Sequence, residues 1–434
     1  MVPASELEPD ALRAGAGAGA RARPRRLAGG AALVVAGLSA CGGPRDAGTS
    51  GPGAADTTAP LLAAADDDEP DAAVPAQQHE SARGAGERAD VPAGAFVAGS
   101  TPGDRGRDPT LEPALLAVEL GDFAIARLPY PNDPRQRPLT NVSRAKAGEL
   151  CAEDGGRLCT ELEWERACRG PKGQAFAGGE RWDPSCATAP ETCASGFGAL
   201  AMGGAMREWT ASDVEPVEGV QARAAAVRGA RADAADVDHR CAHRLAVAAE
   251  TAAADLGFRC CYGAPSSATI PAPQPAPVFR KAELPAARLA AMFAAVPQLA
   301  GLAGDVKYFR EEQAIDSVKR RATSTAGADA GEPLPPQAEL TTAPLAWSPV
   351  PGEELLLVTG LSGKDAFIAA FHRLPENRFR VAATFVMTGD PGPVVLVFNP
   401  NVKRKLEWTT CLGCYGETGG IAYRENNRVV ITQR

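Results

Sequence analysis

The sequence is short of basic charge, of histidine and of long apolar runs, and each shortage excludes a class of protein. Its 45 lysines and arginines are outnumbered by 53 aspartates and glutamates. Because phosphate backbones are bound by clustered Lys and Arg, this balance argues against nucleic acid as a partner. Only 4 histidines occur, and none has the sequence context of a Ser/His/Asp triad. No apolar run reaches the roughly 20 residues of a membrane-spanning helix.

The overall composition is typical of a globular protein, apart from an excess of glycine and proline, which interrupt helices and strands. Its 434 residues are 45% hydrophobic and 23% charged, and the length favours two or three domains. Its 46 glycines and 37 prolines predict long unpacked segments. Eleven cysteines are unusual for a reducing compartment, and the odd number leaves one without an intramolecular partner.

The N-terminal region predicts an export signal. The fourteen residues from Leu27 to Ala40 are apolar and follow four arginines between positions 21 and 26, as in a signal peptide. The stretch ends in LSAC at Cys41, which resembles the bacterial lipobox, and the resemblance implies that Cys41 is diacylated and anchors the protein in the membrane. The alternative is a secretory peptide cut after Ala40. Gly42 is not the aspartate that retains lipoproteins at the inner membrane, which favours the outer membrane.

Composition divides the rest of the chain into two folded regions. Residues 41–89 lack periodicity and predict a disordered tether after the signal peptide at 1–40. Residues 264–282 are rich in proline and predict an extended linker. The folded regions are then a cysteine-rich one at 90–263 and a second at 283–434.

Two helices of the cysteine-rich region have recognisable starts. Ser143 is expected to cap a helix over RAKAGELCAEDG. Thr160 and Glu163 form a T-x-x-E capping box at the start of ELEWERAC. The chain beyond Gly170 is irregular and rich in glycine, so we expect this region to need cross-links for stability.

Several motifs in this region resemble the formylglycine-generating enzyme (sulfatase-modifying factor) superfamily. They are VPAGAF, NVS, CAEDGGRL with TELEWERACRG, EWT at Glu208, RGA at Arg228 and GFRC ending at Cys260. The resemblance covers residues 90–263. It implies a C-type-lectin-like α+β fold, the formylglycine-generating-enzyme fold, with much irregular structure.

The resemblance also implies disulfide pairings. Two pairs correspond to the family's bridges, a third joins the cysteines adjacent to one of those bridges, and a fourth would close a local loop; the alternative is that some of these thiols remain free. The expected pairs are, in that order, Cys151–Cys260 with Cys168–Cys241, Cys159–Cys261, and Cys186–Cys193.

The family's copper chemistry is not expected in this chain. Its oxidases hold copper through two thiolates, ten and five residues before the disulfide cysteine that corresponds to Cys241. Those positions are Arg231 and Asp236, and neither side chain can replace a soft thiolate for Cu(I). The resemblance therefore supplies no catalytic residues here.

Two other metals occur in the superfamily. Its calcium site would here include Gly204 and Glu208, but Ala201 replaces an asparagine ligand, so calcium is possible but disfavoured and no cofactor is expected with confidence. Its iron-dependent members use H-x-x-x-H-x-E, for which His239 and His243 are the nearest candidates. On the strand that the fold implies, these imidazoles would be about 13 Å apart, so we interpret both as surface or loop residues.

The C-terminal region is predicted to be mainly β. An amphipathic helix over 284–296 precedes seven strand-like segments, and their short, regular spacing is typical of an antiparallel sheet, a sandwich or a partial barrel. Cys411 and Cys414 form a lone C-x-x-C, which we interpret as a disulfide in a turn rather than a redox or zinc site. The segments are LLLVTG, DAFIAAFHRL, RFRVAATFVM, PVVLVFN, KLEWTT, GIAYR and RVVITQ.

Two functions remain open at the level of sequence. One is a lipid-anchored module of the bacterial cell envelope, without catalysis, that binds an envelope protein or a glycan. The other is an enzyme that uses a different site. A cleft that gathers ionisable side chains would favour the enzyme, and the candidates for such a cleft are Asp213, Glu215, Arg231, Asp236 and His239.

Overall fold

The computed structural model describes residues 86–215, 224–273, 278–297, 306–307, 311–325, 337–362, 364–401, 404–412, 414 and 418–434. The predicted signal peptide, Cys41 and nearly all of the predicted tether lie outside the described residues. From position 86 onward the described residues belong to one compact unit.

The first domain is built from short strands and three helices. Most of its elements are brief because glycine-rich and irregular segments separate them. The strands are β1 (Arg88–Val91), β2 (Gly94–Ala98), β3 (Leu116–Leu120), β4 (Phe123–Ala126), β5 (Arg157–Leu158), β6 (Arg207–Val214), β7 (Ala224–Arg228), β8 (Arg244–Val247), β9 (Leu256–Phe258) and β10 (Cys260–Tyr262). The helices are α1 (Arg144–Glu153), α2 (Glu161–Arg169) and α3 (Ser185–Thr188).

Both predicted helix starts are confirmed. The Ser143 hydroxyl accepts a hydrogen bond from the Lys146 amide at the start of α1. At α2, the Thr160 hydroxyl accepts from the Glu163 amide while the Glu163 carboxylate accepts from the Thr160 amide. Reciprocal bonds of this kind satisfy two otherwise orphaned donors, so α2 begins at a defined residue.

Three small sheets surround these helices. One has the order β1-β4-β10-β5, another the order β8-β7-β6-β9, and β2 pairs with β3 as a hairpin. All pairs are antiparallel except β6 with β9. The α+β fold expected for this domain is therefore present, and α2 lies fully buried between its layers.

The second domain consists mainly of longer strands. Its strands are β11 (Phe279–Lys281), β12 (Val306–Lys307), β13 (Glu339–Thr341), β14 (Leu345–Trp347), β15 (Leu355–Ser362), β16 (Asp365–Arg373), β17 (Phe379–Met387), β18 (Val395–Phe398), β19 (Lys405–Thr409), β20 (Gly419–Glu425) and β21 (Arg428–Gln433). Its helices are α4 (Ala286–Ala294) and α5 (Glu311–Thr325). The seven predicted segments all form strands, whereas α5 was not predicted, and β11 begins within the stretch predicted as linker.

Among the architectures left open for this domain, the structure adopts a sandwich. One sheet runs β11-β14-β15-β16-β17, with β12 beside β15, and the other runs β13-β18-β19-β20-β21. A single apolar cluster combines side chains of both sheets, such as Leu357 and Ile368 from one and Leu396 and Trp408 from the other. Helix α4 covers the outer face of the first sheet through Leu289, Met292 and Phe293.

The two domains meet along the loop after β2. Asp104 forms an ion pair with Arg380 of β17 at 2.7 Å, and Arg107 donates a hydrogen bond to the Gly352 carbonyl. Gly352 has φ +75°, and a Cβ there would lie 2.0 Å from the Pro109 carbonyl oxygen. The approach of the two backbones therefore requires glycine at this position.

Candidate functional site

The two positions that hold copper in the family's oxidases lie on an exposed segment after β7. Arg231 forms an ion pair with Asp233 at 2.8 Å, and this contact raises the pKa of Arg231 and lowers that of Asp233. Asp236 is exposed at the start of a 3₁₀ turn, Asp236–His239. The nearest cysteine in sequence, Cys241, is bonded to Cys168. These residues do not fit a Cu(I) ion, because hard or cationic groups stand where it needs thiolates.

Glu208 is the one carboxylate at the position of the family's calcium site, and both of its oxygens already bind other protein groups. It is fully buried in β6, and its two oxygens accept hydrogen bonds from Arg259 at 2.6 and 2.7 Å. The indole Nε1 of Trp164 donates to the same carboxylate at 2.8 Å. A calcium ion would have to displace a bidentate guanidinium that already neutralises this charge. The Glu208 site therefore does not fit calcium.

Two other arginines of this domain, Arg228 of the RGA motif and Arg244 of β8, are also paired with buried carboxylates. Arg228 lies fully buried and contacts Glu161 and Glu165 of α2, each at 3.1 Å. Arg244 forms a bidentate pair with Glu161 at 2.6 and 2.7 Å. The family-like charged residues thus connect α2 to the sheet β8-β7-β6-β9 instead of presenting their charges to a ligand.

Both histidines lie outside the strands, as expected of loop residues, but the strand that the fold implied is absent here and His239 is not at the surface. Residues 239–243 are not a strand, because β8 begins only at Arg244. His239 is buried, its ring stacks on Trp182 with centroids 3.8 Å apart, and its Nδ1 lies 2.9 Å from the Gly203 carbonyl oxygen. His243 is half-buried, and its burial lowers its pKa. Packing against Trp182 and the Gly203 carbonyl explains the position of His239.

The ionisable residues that could have formed a cleft do not share one. Asp213 pairs with Arg144 at 2.6 Å, Arg231 pairs with Asp233 at the surface, and His239 lies inside. Within the described ranges, no three His, Cys, Asp or Glu side chains converge as a metal site would require.

A concave site exists elsewhere in the domain, and sequence reasoning missed it. It is a cavity of about 490 Å³ beside β2 and the end of α2, and we call it the α2 cavity. Four cations line it, from α2, the turn after it and the segment before β8: Arg166, Arg169, Lys172 and Arg240. The spacing of Arg166 and Arg169, three residues apart on one helix face, was the available signal.

Four disulfides cross-link the first domain, and one of them lies next to the α2 cavity. All four predicted pairs are confirmed, and so is the turn disulfide Cys411–Cys414 of the second domain. The four in the first domain are Cys151–Cys260, Cys159–Cys261, Cys168–Cys241 and Cys186–Cys193. The Cys168–Cys241 bond joins the end of α2 to the segment that carries Arg240, so it links two walls of the α2 cavity.

No described helix is long and apolar enough to cross a membrane. The predicted anchor, Cys41, lies outside the described residues.

Known proteins with sequence similarity to this chain match its first domain. Residues 125–264 match the family model described as a sulfatase-modifying factor enzyme 1-like domain. The mouse protein "Inactive C-alpha-formylglycine-generating enzyme 2" is 34% identical over 155 residues, an alignment that covers 29% of this chain and 49% of the mouse protein. The chain thus spans about half the length of this curated relative.

Solved structures also resemble this chain. PvdO from Pseudomonas aeruginosa shares 19% identity, with 41% of this chain and 94% of PvdO covered and a TM-score of 0.33. Treponema denticola variable protein 1 shares 14% identity, with 40% and 94% covered and a TM-score of 0.32.

Proposed function

Because the chain carries a sulfatase-modifying factor enzyme 1-like domain, we propose that this domain is a non-catalytic binding or scaffold module. We further propose that it belongs to an exported, lipid-anchored protein of the bacterial cell envelope, located at the outer membrane, whose partner is an envelope protein or a glycan.

One observation carries the first part of the proposal. The positions that would hold copper, Arg231 and Asp236, are exposed and carry no thiolate, and Arg231 is neutralised by Asp233. The mouse relative, which is named as inactive, agrees with this interpretation. The buried charges of the domain pair with one another instead of facing a metal.

The lipid anchor is supported by the sequence LSAC, which ends at Cys41 behind an apolar stretch. The described residues contain ten cysteines, all bonded in pairs. Cys41 is the eleventh cysteine, and no described cysteine is free to form a disulfide with it, so its thiol is available for lipidation.

Copper loading and peptide oxidation test the non-catalytic function. The full protein would be incubated with Cu(I), oxygen and a cysteine-containing sulfatase peptide, and mass spectrometry would follow loss of the thiol and gain of the aldehyde. We expect no aldehyde and no stoichiometric copper. Aldehyde formation by the native chain would overturn the proposal.

A matched pair of variants sharpens this experiment. Arg231→Cys with Asp236→Cys restores two thiols at the family positions and should raise Cu(I) affinity. Arg231→Ala with Asp236→Ala removes the same exposed charges and should bind no more copper than the native chain.

Metabolic labelling with a fatty acid tests the anchor. We expect label on the native chain in a bacterial host and none on Cys41→Ala, with the native protein in the outer-membrane fraction. A native protein that is soluble, unlabelled and cut after Ala40 would favour the ordinary secretory signal instead.

A further inference from the structure

The α2 cavity has the dimensions of a small-molecule site. Its volume of about 490 Å³ lies within the range of roughly 300–1,000 Å³ that is usual for ligand pockets. Its walls come from β2, the loop after β2, the end of α2 and the following turn. The disulfide Cys168–Cys241 and the buried helix α2 hold these walls in place.

The charges of the cavity are only partly compensated. Arg169 pairs with Glu165 at 2.8 Å, and Arg240 pairs with Glu112 at 2.8 Å. Asp104, at the mouth, pairs with Arg380 of the second domain. Arg240 and Asp104 each have one partner of opposite charge, whereas Arg169 shares Glu165 with the buried Arg228, so its charge is only partly compensated.

Two cations remain. Lys172 is exposed, and among the described residues it has no carboxylate within ion-pair distance. Arg166 is 7% exposed and likewise pairs with no described carboxylate; its amino groups donate to the backbone carbonyls of Pro92 and Gly94. Glu180, exposed at the rim, is the one lining carboxylate without a described partner.

Arg166 therefore holds a positive charge on a side chain that is only slightly exposed, and it has no counter-ion among the described residues. Burial lowers its pKa, and no neighbouring carboxylate opposes that effect. A buried charge without a partner is costly, and an anion brought into the cavity would reduce that cost.

Part of the cavity lining, next to Arg166, is apolar. Phe96 and Phe197 line it, and the Arg166 guanidinium lies 5.8 Å from the centre of the Phe96 ring. Val97, at the rim, is 49% exposed and adds apolar surface to the same side. Aromatic walls beside a few polar groups are typical of sites for organic ligands.

We propose that the α2 cavity binds a small organic anion that carries an apolar body, with its carboxylate or phosphate directed to Arg166 and Lys172 and its apolar part against Phe96 and Phe197. This inference deepens the proposed function, on which it rests, by naming the class of ligand that the module binds.

Calorimetry on the full protein at low salt tests the inference. The probes are phenyl phosphate and 3-phenylpropionate, with 3-phenylpropionamide as the neutral match of the carboxylate. We expect at least one anion to bind at least tenfold more tightly than the amide, and this difference to shrink as salt is added. The preferred anion tells whether the natural ligand carries phosphate or carboxylate.

Variants locate the site. Lys172→Glu and Val97→Asp change exposed positions and should each weaken anion binding at least tenfold, and Arg166→Gln should weaken it further. Lys364→Glu makes the same charge change at an exposed position of the second domain and should leave the affinity within twofold of the native value.

The possible results distinguish failure of the anion site from failure of the non-catalytic function. Equal binding of anion and amide, no binding of either anion at millimolar concentration, or equal loss in Lys172→Glu and Lys364→Glu would each overturn the inference. None of these results concerns oxidation of a sulfatase peptide, so a failure to bind anions would not contradict the non-catalytic function. Aldehyde formation would in turn remove the non-catalytic function without removing an anion site.

Discussion

The two domains are stabilised by different kinds of contact. The first has short strands and irregular segments, four disulfides and a set of fully buried ion pairs around α2. The second has long antiparallel strands whose apolar side chains fill the space between two sheets. Regular strands bury alternate side chains automatically, whereas irregular segments do not, so the first domain depends more on covalent and charged contacts.

This difference also separates the places where a site can form. The charged residues of the first domain stabilise the fold wherever each has a partner, as Glu208 and Arg259 do. Where a cation has none, as at Arg166, a ligand can supply the counter-charge. In this protein, the presence of an ion-pair partner distinguishes structural charged residues from binding ones better than membership of a family motif does.

The largest expected effect tests the dependence on disulfides. Removing Cys151–Cys260, which spans 109 residues, with two alanines should destabilise the first domain by about 4–5 kcal/mol in loop-entropy terms. Removing Cys411–Cys414, which spans 3 residues, should cost the second domain about 2 kcal/mol or less. Hydrogen exchange read by mass spectrometry follows the two domains separately. Equal losses would break the comparison.

Breaking a buried ion pair should cost somewhat less. Arg259→Met leaves the Glu208 carboxylate buried with only Trp164 as donor, and we expect a loss of about 3–5 kcal/mol. Adding Glu208→Leu removes the orphaned charge and should recover part of that loss. Urea unfolding measures both. If the double variant is no more stable than Arg259→Met, the charge is not the cause.

A pH effect is expected at the domain boundary. His372 of β16 is buried against Gly103 of the first domain, and burial, reinforced by nearby arginines, lowers its pKa to about 4. Because the unfolded chain takes up the proton first, stability should fall as pH drops from about 6.5 to about 4, by up to about 3 kcal/mol. The charged groups that act on His372 are Arg107, Arg380, Arg424, Asp104 and Glu353.

Glu353 works in the opposite direction. Burial raises its pKa, so its own contribution to stability grows as pH falls. Urea unfolding of native protein and His372→Gln between pH 7 and pH 4.5 separates the two groups. We expect the native protein to lose more stability than His372→Gln over this range, and equal losses would assign the pH dependence elsewhere.

The smallest effect concerns the exposed pair between the domains. Arg380→Ala removes the contact with Asp104, whose members are 47% and 35% exposed, and should cost less than about 1 kcal/mol. Thermal unfolding at low and high salt measures it. We expect the difference from the native chain to disappear at high salt, and a loss that persists there would mean that Arg380 also contributes packing.

Much of the local structure follows from short-range sequence signals. The caps at Ser143 and Thr160 depend on residues three positions away, and the second domain's strands depend on alternation over a few residues. Helix α5 was not predicted; its buried residues Ala314 and Val318 are too small a stripe for a clear periodic signal. The pairs Cys151–Cys260 and Cys168–Cys241 followed only from the family resemblance, because cysteine spacing alone leaves many pairings open.

The candidate site was less predictable because its charges are defined by distant partners. Arg166 and Arg169 differ in function although they lie on one helix: Arg169 meets Glu165 one turn away, whereas Arg166 contacts the backbone of Pro92 and Gly94. Nothing local in the sequence distinguishes them. For the same reason, the sequence did not show that His239, expected at the surface or in a loop, is buried: Trp182, which stacks on its ring, is distant in the sequence.

The sequence by itself determined the composition of both domains, the starts of the helices, the sheet-forming segments and the absence of thiolates at the family's copper positions, because each depends on residue identity or on neighbours within a helical turn or a strand. Only the tertiary structure decided that Glu208 belongs to Arg259, that His239 is buried, and that Arg166 and Lys172 meet Phe96 and Phe197 around one cavity. Those outcomes depend on contacts between residues far apart in the chain, where burial decides which charges are neutralised and which are left for a ligand.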